Sequence, residues 1–384
     1  MLRTLSSKIH LYVGLALAAV LIVLSVTGSA LVFRDALEGW LRPDLHEVEP
    51  ASGDRISPGV ALEVVREAAP NHPPRFLHLP QSADAPYKVW LRDAPRRHAY
   101  VDPYRGTLLG IQHQDESVMG MIFSLHAELM AGKTGEWIVG VSGLLLVLLC
   151  LTGLVLWWPR VGRLRRIFVI AYRYGWRRLN YDLHRAGGFW TLLFVVVVAA
   201  SGSAMVFYTE TGALLNGLTG STSVPPPPRS AASSASPDVP VDDALATARS
   251  ALPDGTVSFV YLPSEPRAPI TVRMRTPSEW HPNGRSYAYV DRYSGKLLRV
   301  DDAREAPFGA RLLHKLYPLH IGAVGGVWVR VLYVVLGLAP TMLSISGVLI
   351  WYQRWHRQHK AAAASSRDVP ARPAVLDASA PGAD

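Results

Sequence analysis

Two apolar runs of this chain can be laid on one another without a gap: HLYVGLALAAVLIVLSVTGSALVF from His10 to Phe33, and HRAGGFWTLLFVVVVAASGSAMVF from His184 to Phe207. Each opens on a histidine, carries a glycine four residues on (Gly14, Gly188), reaches Gly-Ser-Ala eighteen residues on (Gly28, Gly202) and closes on Val-Phe. A second pair matches in the same way: His126 stands twenty-seven residues before Gly153 in TGLVLWW, and His320 twenty-seven before Gly347 in SGVLIWY. Two ungapped matches of this kind read as two copies of one unit.

The apolar residues collect in four runs, roughly 11–33, 138–158, 189–208 and 327–352. Each is near the twenty or so residues needed to cross a hydrocarbon core of about 30 Å, so the sequence predicts four transmembrane helices. The first run is longer than the apolar part of a signal peptide and has an internal twin, which favours an anchor over a cleaved leader. Lys and Arg are retained on the cytoplasmic side of a membrane. The loop between runs two and three carries Arg160, Arg163, Arg165, Arg166, Arg173, Arg177, Arg178 and Arg185 against one acid, Asp182. That loop, and with it both termini, is therefore expected in the cytoplasm, and the formal charge of +9 is largely a topology signal that gives no reason to invoke nucleic acid.

Between the apolar runs, the pattern predicts a small α+β module twice. Residues 57–70 have helical spacing, 75–80 and 87–92 are strand-like, and 99–109 form a hairpin with its turn at Asp102 to Gly106. The counterparts are 242–251, 259–263, 270–275 and 288–298. The Pro/Ser-rich spacer at 219–240 reads as extended and mobile, and residues 360–384 as disordered. The expected divisions are 1–36 (head and first helix), 37–117 (module one), 118–158 (second helix with an outward extension), 159–183 (basic loop), 184–210 (third helix), 211–240 (spacer), 241–308 (module two), 309–355 (fourth helix with its extension) and 356–384 (tail).

Cys150 is the only cysteine, which excludes an intrachain disulfide and an iron–sulfur cluster built from this chain alone. No Cys-x-x-Cys-His occurs for covalent haem attachment, and no dinucleotide, P-loop, nucleophile-elbow or His-Glu-x-x-His motif is present. The histidines carry the remaining chemistry. A parallel repeat brings His10 and His184 together at the cytoplasmic face and His126 and His320 at the outer face. Two neutral imidazoles facing each other from neighbouring helices are what a b-type haem iron accepts as axial ligands, so two haems per chain are expected. Gly14, Gly187 and Gly188 inside, and Gly132, Gly322, Gly325 and Gly326 outside, would leave room for the macrocycle; tight helix packing explains them equally well. Zinc is the competing metal, with His314 as a reserve ligand beside His126 and His320, although its counterpart in the other unit is Gly120. A proton pathway finds no acid in the centre of any run. No residue is assigned a catalytic acid or base role. The other histidines are expected at surfaces, and Trp157, Trp158, Trp351, Tyr352 and Trp355 as an interfacial belt. A continuous helix from His126 to Trp157 would span about 46 Å and lift the outer site to the membrane surface, unless Gly132 and Gly135 break it.

With these residues laid out, the chain resembles the PepSY-associated transmembrane-helix family over roughly 5–358. The resemblance is carried by Lys8-Ile-His10 with Thr27-Gly-Ser-Ala30, the Tyr-Val-Asp hairpins at 100–102 and 289–291, Leu125-His126 with Thr152-Gly153 and Trp157-Trp158, Asp182-Leu-His184, and Leu319-His320 with Ser346-Gly347. The resemblance implies a multi-pass bacterial inner-membrane protein with periplasmic PepSY-like modules. It also implies a haem-containing reductase, of the ferrioxamine-reductase type, that takes electrons from a cytoplasmic or quinol donor and passes them to a ferric siderophore. Trp280, Arg285 and Arg97 are candidate contacts for that chelate. Two alternatives stay open: a non-enzymatic membrane-tethered binding or regulatory module, and a quinol-linked cytochrome with another acceptor.

Overall fold

The computed structural model describes residues 1–92, 97–158, 170–231 and 238–367, with side chains through 360. Arg160, Arg163, Arg165 and Arg166 of the basic loop, and the tail beyond 367, lie outside the described residues.

The helices are α1 (Leu2–Leu31), α2 (Arg34–Leu41), α3 (Pro43–His46), α4 (Pro58–Ala68), α5 (Val118–Glu128), α6 (Gly132–Trp157), α7 (Trp176–Val206), α8 (Tyr208–Thr219), α9 (Val241–Ala251), α10 (Phe308–Ile321), α11 (Gly326–Gly337) and α12 (Ala339–Arg367). Four stretches are long and apolar enough to cross a membrane: Leu2–Leu31, Gly132–Trp157, Trp176–Val206 and Gly326–Lys360. Most residues in the apolar window of each are not buried inside the protein, as lipid-facing helices require. The first of α11 and α12 gives way to the second at Leu338, just before Pro340, whose ring cannot continue the preceding hydrogen-bond ladder. Packing runs around a ring: α1 on α6, α6 on α7, α7 on α12, and α12 on α1. At the loop end, the Arg3 guanidinium donates to the carbonyls of Val155 and Leu156, which α6 leaves unpaired at its C-terminus.

The second and fourth spans do not extend unbroken toward the sheet. The chain turns between α5 and α6 through Leu129 and Met130, both at positive φ, and between α10 and α11 through Gly322, Gly325 and Gly326. Two consecutive non-glycine residues in the left-handed region store strain that packing must hold. The breaks fold α5 and α10 back against the ends of α1 and α7. The 46 Å span expected for an unbroken helix is therefore wrong: His126 is brought down to the level of Gly28.

The strands are β1 (Pro74–His78), β2 (Tyr87–Leu91), β3 (Arg97–Val101), β4 (Leu108–His113), β5 (Thr256–Tyr261), β6 (Ile270–Arg275), β7 (Ser286–Val290) and β8 (Leu297–Asp301). They form a single antiparallel sheet in the order β4-β3-β2-β1-β5-β6-β7-β8. The two stretches expected to be separate modules thus share one sheet, sewn together where β1 pairs with β5 and Leu77 lies opposite Val260. One face packs on α4 and α9 through a core that includes Leu62, Val65, Leu77, Val89, Leu245, Val260 and Val272. Asp242 at the start of α9 accepts from Gly59 N at 3.1 Å and from Ser57 Oγ at 2.6 Å, tying the two helix N-termini together.

The hairpin turns explain the repeated Tyr-Val-Asp. Asp102 Oδ1 accepts from the Tyr104 and Arg105 amides at 2.7 and 3.0 Å, and Asp291 Oδ1 from those of Tyr293 and Ser294 at 3.0 and 2.8 Å. The positive-φ positions that follow are Gly106 and Gly295. The spacer departs from expectation. It follows α8, which ends at Thr219, and its described part is hydrogen-bonded to the second half of the sheet: Arg299 donates to the carbonyls of Pro225 and Pro226, and Ala231 N to Asp291 Oδ2. Helix α12 likewise continues to Arg367, into the stretch read as a disordered tail.

Candidate functional site

His10 on α1 and His184 on α7 face each other diagonally across the ring with centroids 6.3 Å apart. At the sheet end, His126 on α5 and His320 on α10 face each other at 6.2 Å. Both expected pairs are formed, the second on the short helices rather than on the spans. Along α1 the two pairs are separated by the seventeen residues from His10 to Thr27, about 26 Å.

All four imidazoles sit in the same local arrangement. His10 Nδ1 lies 3.1 Å from Thr152 Oγ1, His126 Nδ1 3.1 Å from Thr27 Oγ1, His184 Nδ1 2.8 Å from Ser346 Oγ, and His320 Nδ1 3.3 Å from Ser201 Oγ. Each hydroxyl proton is already committed to the carbonyl one helical turn back: Thr152 to Leu148 at 2.9 Å, Thr27 to Val23 at 2.6 Å, Ser346 to Met342 at 2.7 Å and Ser201 to Val197 at 2.7 Å. Toward histidine the oxygen can only accept, so Nδ1 carries the proton and Nε2 keeps its lone pair. A backbone carbonyl three residues before each hydroxyl also faces Nδ1, at 3.1 Å from Leu149 and 2.9 Å from Val198 in two of the four. Fixing one ring nitrogen by such partners is how proteins prepare the other to ligate a metal.

The residue after each hydroxyl is glycine, and the imidazole lies on it. A Cβ at Gly28 would stand 2.7 Å from His126 Cε1, at Gly202 2.8 Å from His320 Cε1, at Gly153 3.2 Å from His10 Cε1 and at Gly347 3.3 Å from His184 Cε1. These are the glycines the histidines need. On the loop side, a Cβ at Gly187, one of the glycines expected to make room for a macrocycle, would stand 2.5 Å from Met342 Cε, whereas at Gly14 and Gly188 it would meet Leu149 and Leu343 at an ordinary 3.9 and 3.7 Å. Thr27, Thr152, Ser201 and Ser346 were visible in the sequence only as a recurring Ser/Thr-Gly in each apolar run; nothing local tied them to a histidine.

An imidazole nitrogen binds a metal at about 2.0–2.1 Å and its ring centre lies about 1.1 Å further back, so two rings on opposite sides of one ion have centres about 6.3 Å apart. Both pairs have that separation, and their donor set, two neutral imidazoles, suits a haem iron. Among the described residues no group of three or more His, Cys, Asp or Glu gathers to hold a metal. His314 does not join His126 and His320. It lines a separate cavity with Trp280, His281 and Arg285.

At the His126–His320 end, the sheet face opposite α4 and α9 carries aromatic and basic side chains. Phe76 stacks on Trp90 at 4.6 Å, His78 lies 4.4 Å from Phe259, and Lys88 Nζ stands 5.1 Å above Trp90. His98 and His281, expected at surfaces, are buried, the first 4.8 Å from Trp90 and the second stacked on Tyr317 at 5.0 Å. Burial and then the Arg273 guanidinium push His281 down to about 2, and burial and then Arg285 push His314 down to about 4, so both are neutral at neutral pH. Arg97 is placed elsewhere, donating to His113 Nε2 at 2.5 Å. At the loop end, Asp182 is fully buried between Arg178 Nε at 2.8 Å and Arg185 Nη2 at 3.1 Å, two residues before His184. Trp157 stacks on Phe189 at 3.9 Å within the bundle, whereas Trp158 and Tyr352 are exposed as a belt would be.

The family model for the PepSY-associated TM region matches residues 7–354 of the chain. A comparison with curated proteins finds no match.

Proposed function

The chain belongs to the PepSY-associated TM family, a membrane protein with a PepSY module, and from that premise we propose that it is a di-haem inner-membrane reductase of ferric siderophores. The observation that carries the reading is the pair of facing histidine couples, each with Nδ1 tied to a Ser or Thr hydroxyl and Nε2 free. His10 and His184 would hold one b-type haem, His126 and His320 the other. When bound, such groups supply reversible one-electron carriage.

The chain's own residues do the positioning. Thr152, Ser346, Thr27 and Ser201 fix the ring tautomers, and the glycines beside them let the rings seat. The ring α1-α6-α7-α12 keeps the two couples about 26 Å apart along the bundle axis. The two halves read as tandem copies related by a twofold axis along the membrane normal, through Leu77 and Val260: RFLHLP at 75–80 matches SFVYLP at 258–263, and Phe76 pairs with Tyr261 as His78 does with Phe259. With the arginine-rich loop in the cytoplasm, the sheet stands in the periplasm, where a water-soluble chelate can reach the His126–His320 couple. One electron from a cytoplasmic or quinol donor converts ferric to ferrous iron, which the hard oxygen donors of a siderophore hold less well, and the metal is released.

The test is an oxidised and dithionite-reduced visible spectrum of the detergent-purified protein, with haem quantified per chain. Two b-type haems per chain, reoxidised on adding a ferric siderophore, is the expected result. Reduced haems that siderophores leave untouched would point instead to a cytochrome with another acceptor. Colourless protein from haem-replete cells would leave a non-enzymatic PepSY module.

A further inference from the structure

A cavity of about 320 Å³ opens where α10 meets the second half of the sheet, and Trp280, His281, Arg285, Arg311, His314 and Lys315 line it. Its charge is unbalanced. Glu279, the acid on its wall, is used internally: its carboxylate accepts from Thr276 N at 3.0 Å, Ser286 Oγ at 2.8 Å and the Arg285 amide. Arg304 is held by Asp254 and Asp302. Arg285, Arg311 and Lys315 make no ion pair among the described residues, and the buried Arg285 Nε has no hydrogen-bond partner. Lys315 Nζ rests 4.7 Å from the Trp280 ring, so the wall offers cation and aromatic surface together. Three cations without a carboxylate partner and an orphaned buried donor are a site shaped for an anion with several oxygens.

Its position says which anion. His314 in the cavity and His320 in the outer couple are on one helix, six residues and about 9 Å apart. We propose that this cavity is the acceptor site of the reductase proposed above, and that it takes a small ferric chelate with net negative charge, of the carboxylate or catecholate class, in preference to a cationic hydroxamate chelate. The volume is at the lower end of ligand cavities, which favours a compact chelate. Neutral His314 adds a hydrogen-bonding group without adding charge, and the buried His281, held against Tyr317 and Arg273, closes the inner wall.

Gallium(III) chelates test this without any redox step, because gallium(III) is not reduced under these conditions. Binding of gallium citrate, which is anionic, and of cationic gallium desferrioxamine B is measured by tryptophan fluorescence on the full chain in lipid-free detergent. The parent, Arg285→Gln, Lys315→Gln and, as a remote control on α4, Arg66→Gln are compared. Gallium citrate should bind the parent and Arg66→Gln alike, weaken by about tenfold or more in each of the other two, and weaken with added salt. The cationic chelate should bind at least about tenfold less well than gallium citrate. Equal binding by parent, Arg285→Gln and Lys315→Gln, or equal binding of the two chelates, would overturn the proposal. Displacement of gallium citrate by phosphatidylglycerol vesicles would also overturn it, assigning the cations to lipid headgroups. The reductase reading fails separately: colourless protein that still binds gallium citrate sinks that reading and leaves the cavity as a chelate site, whereas two-haem protein that binds none sinks the cavity alone.

Discussion

Thr27 and His126 are joined by a hydrogen bond whose direction is fixed from behind: the Thr27 hydroxyl gives its proton to Val23, so its oxygen accepts from His126 Nδ1 at 3.1 Å. Thr27→Val keeps the shape of the side chain and removes that acceptor. Loss of such a partner of a ligating histidine lowers metal affinity by about 10- to 100-fold. Thr27→Val should therefore bind the outer haem more weakly and shift its midpoint potential, while Thr27→Ser stays near the parent. A haem titration and a potentiometric titration read both quantities, and identical values for parent and Thr27→Val would count against the role.

Each histidine couple should account for one haem. His10→Ala and His126→Ala are each expected to retain about one haem per chain of the parent's two, because the couples are far apart and share no residue. Full haem content in either variant would remove that histidine from the ligand set.

The glycines separate a ligand-seating role from ordinary packing. Gly28→Val places carbon where His126 Cε1 stands, since even a Cβ there would be 2.7 Å from it, and should eject the outer haem while leaving the inner one. Gly14→Ala meets only Leu149, at an ordinary 3.9 Å, and should leave both. The spectra of the two variants decide the matter: similar haem loss in both would mean general disruption of helix packing.

Stability of the sheet end should fall as acid is added. His78 and His314 are held down to about 4 and His281 to about 2, in each case chiefly by burial. A folded value below the ordinary one of about 6.5 means that the unfolded chain takes up protons first, so the contribution is complete above about pH 6.5 and is lost progressively below it. Burial opposes ionisation of Asp102 and Asp291, yet the turn amides outweigh it and hold both carboxyls below their usual range, so their contribution disappears only at still lower pH. Thermal melting between pH 8 and pH 4 should show a flat upper region and a fall beginning near pH 6.5, with a shallower fall in His314→Gln. A midpoint independent of pH over that range would contradict this.

The seam of the sheet is a single strand pair. Leu77 and Val260 are both fully buried at its centre. Leu77→Ala should cost about 2–5 kcal/mol, as for other fully buried leucines, and lower the melting temperature of the sheet end. An unchanged melting curve would mean that the halves are held together by the membrane helices alone.

Much of this architecture is legible in the sequence. The spans, the α4 and α9 helices, the hairpins with their Asp-Gly turns and the two histidine couples all rest on local pattern or on the internal match. What misled was continuity. The run from His126 into Trp157 reads as one helix because Leu129 and Met130 are good helix formers; in the fold they stand in the left-handed region, where their amides cap α5 on the Leu125 and Ser124 carbonyls while α5 packs on α1 and α6. The Pro/Ser spacer has a composition that signals mobility, and the carbonyls that Arg299 finds in Pro225 and Pro226 lie 74 and 73 residues away from it in sequence.

The sequence by itself determined how many times the chain can cross a membrane and which histidines recur, because hydrophobic length and an ungapped repeat are properties of the chain alone. Tertiary structure decided which hydroxyl and glycine each histidine meets, that two modules share one sheet, and that unpaired cations gather beside His314. Those outcomes depend on side chains separated by 99 to 162 residues being held within hydrogen-bond distance in one register. No local propensity encodes that register; it is set by the simultaneous packing of the spanning helices with α5 and α10, which leaves each buried hydroxyl and imidazole a partner.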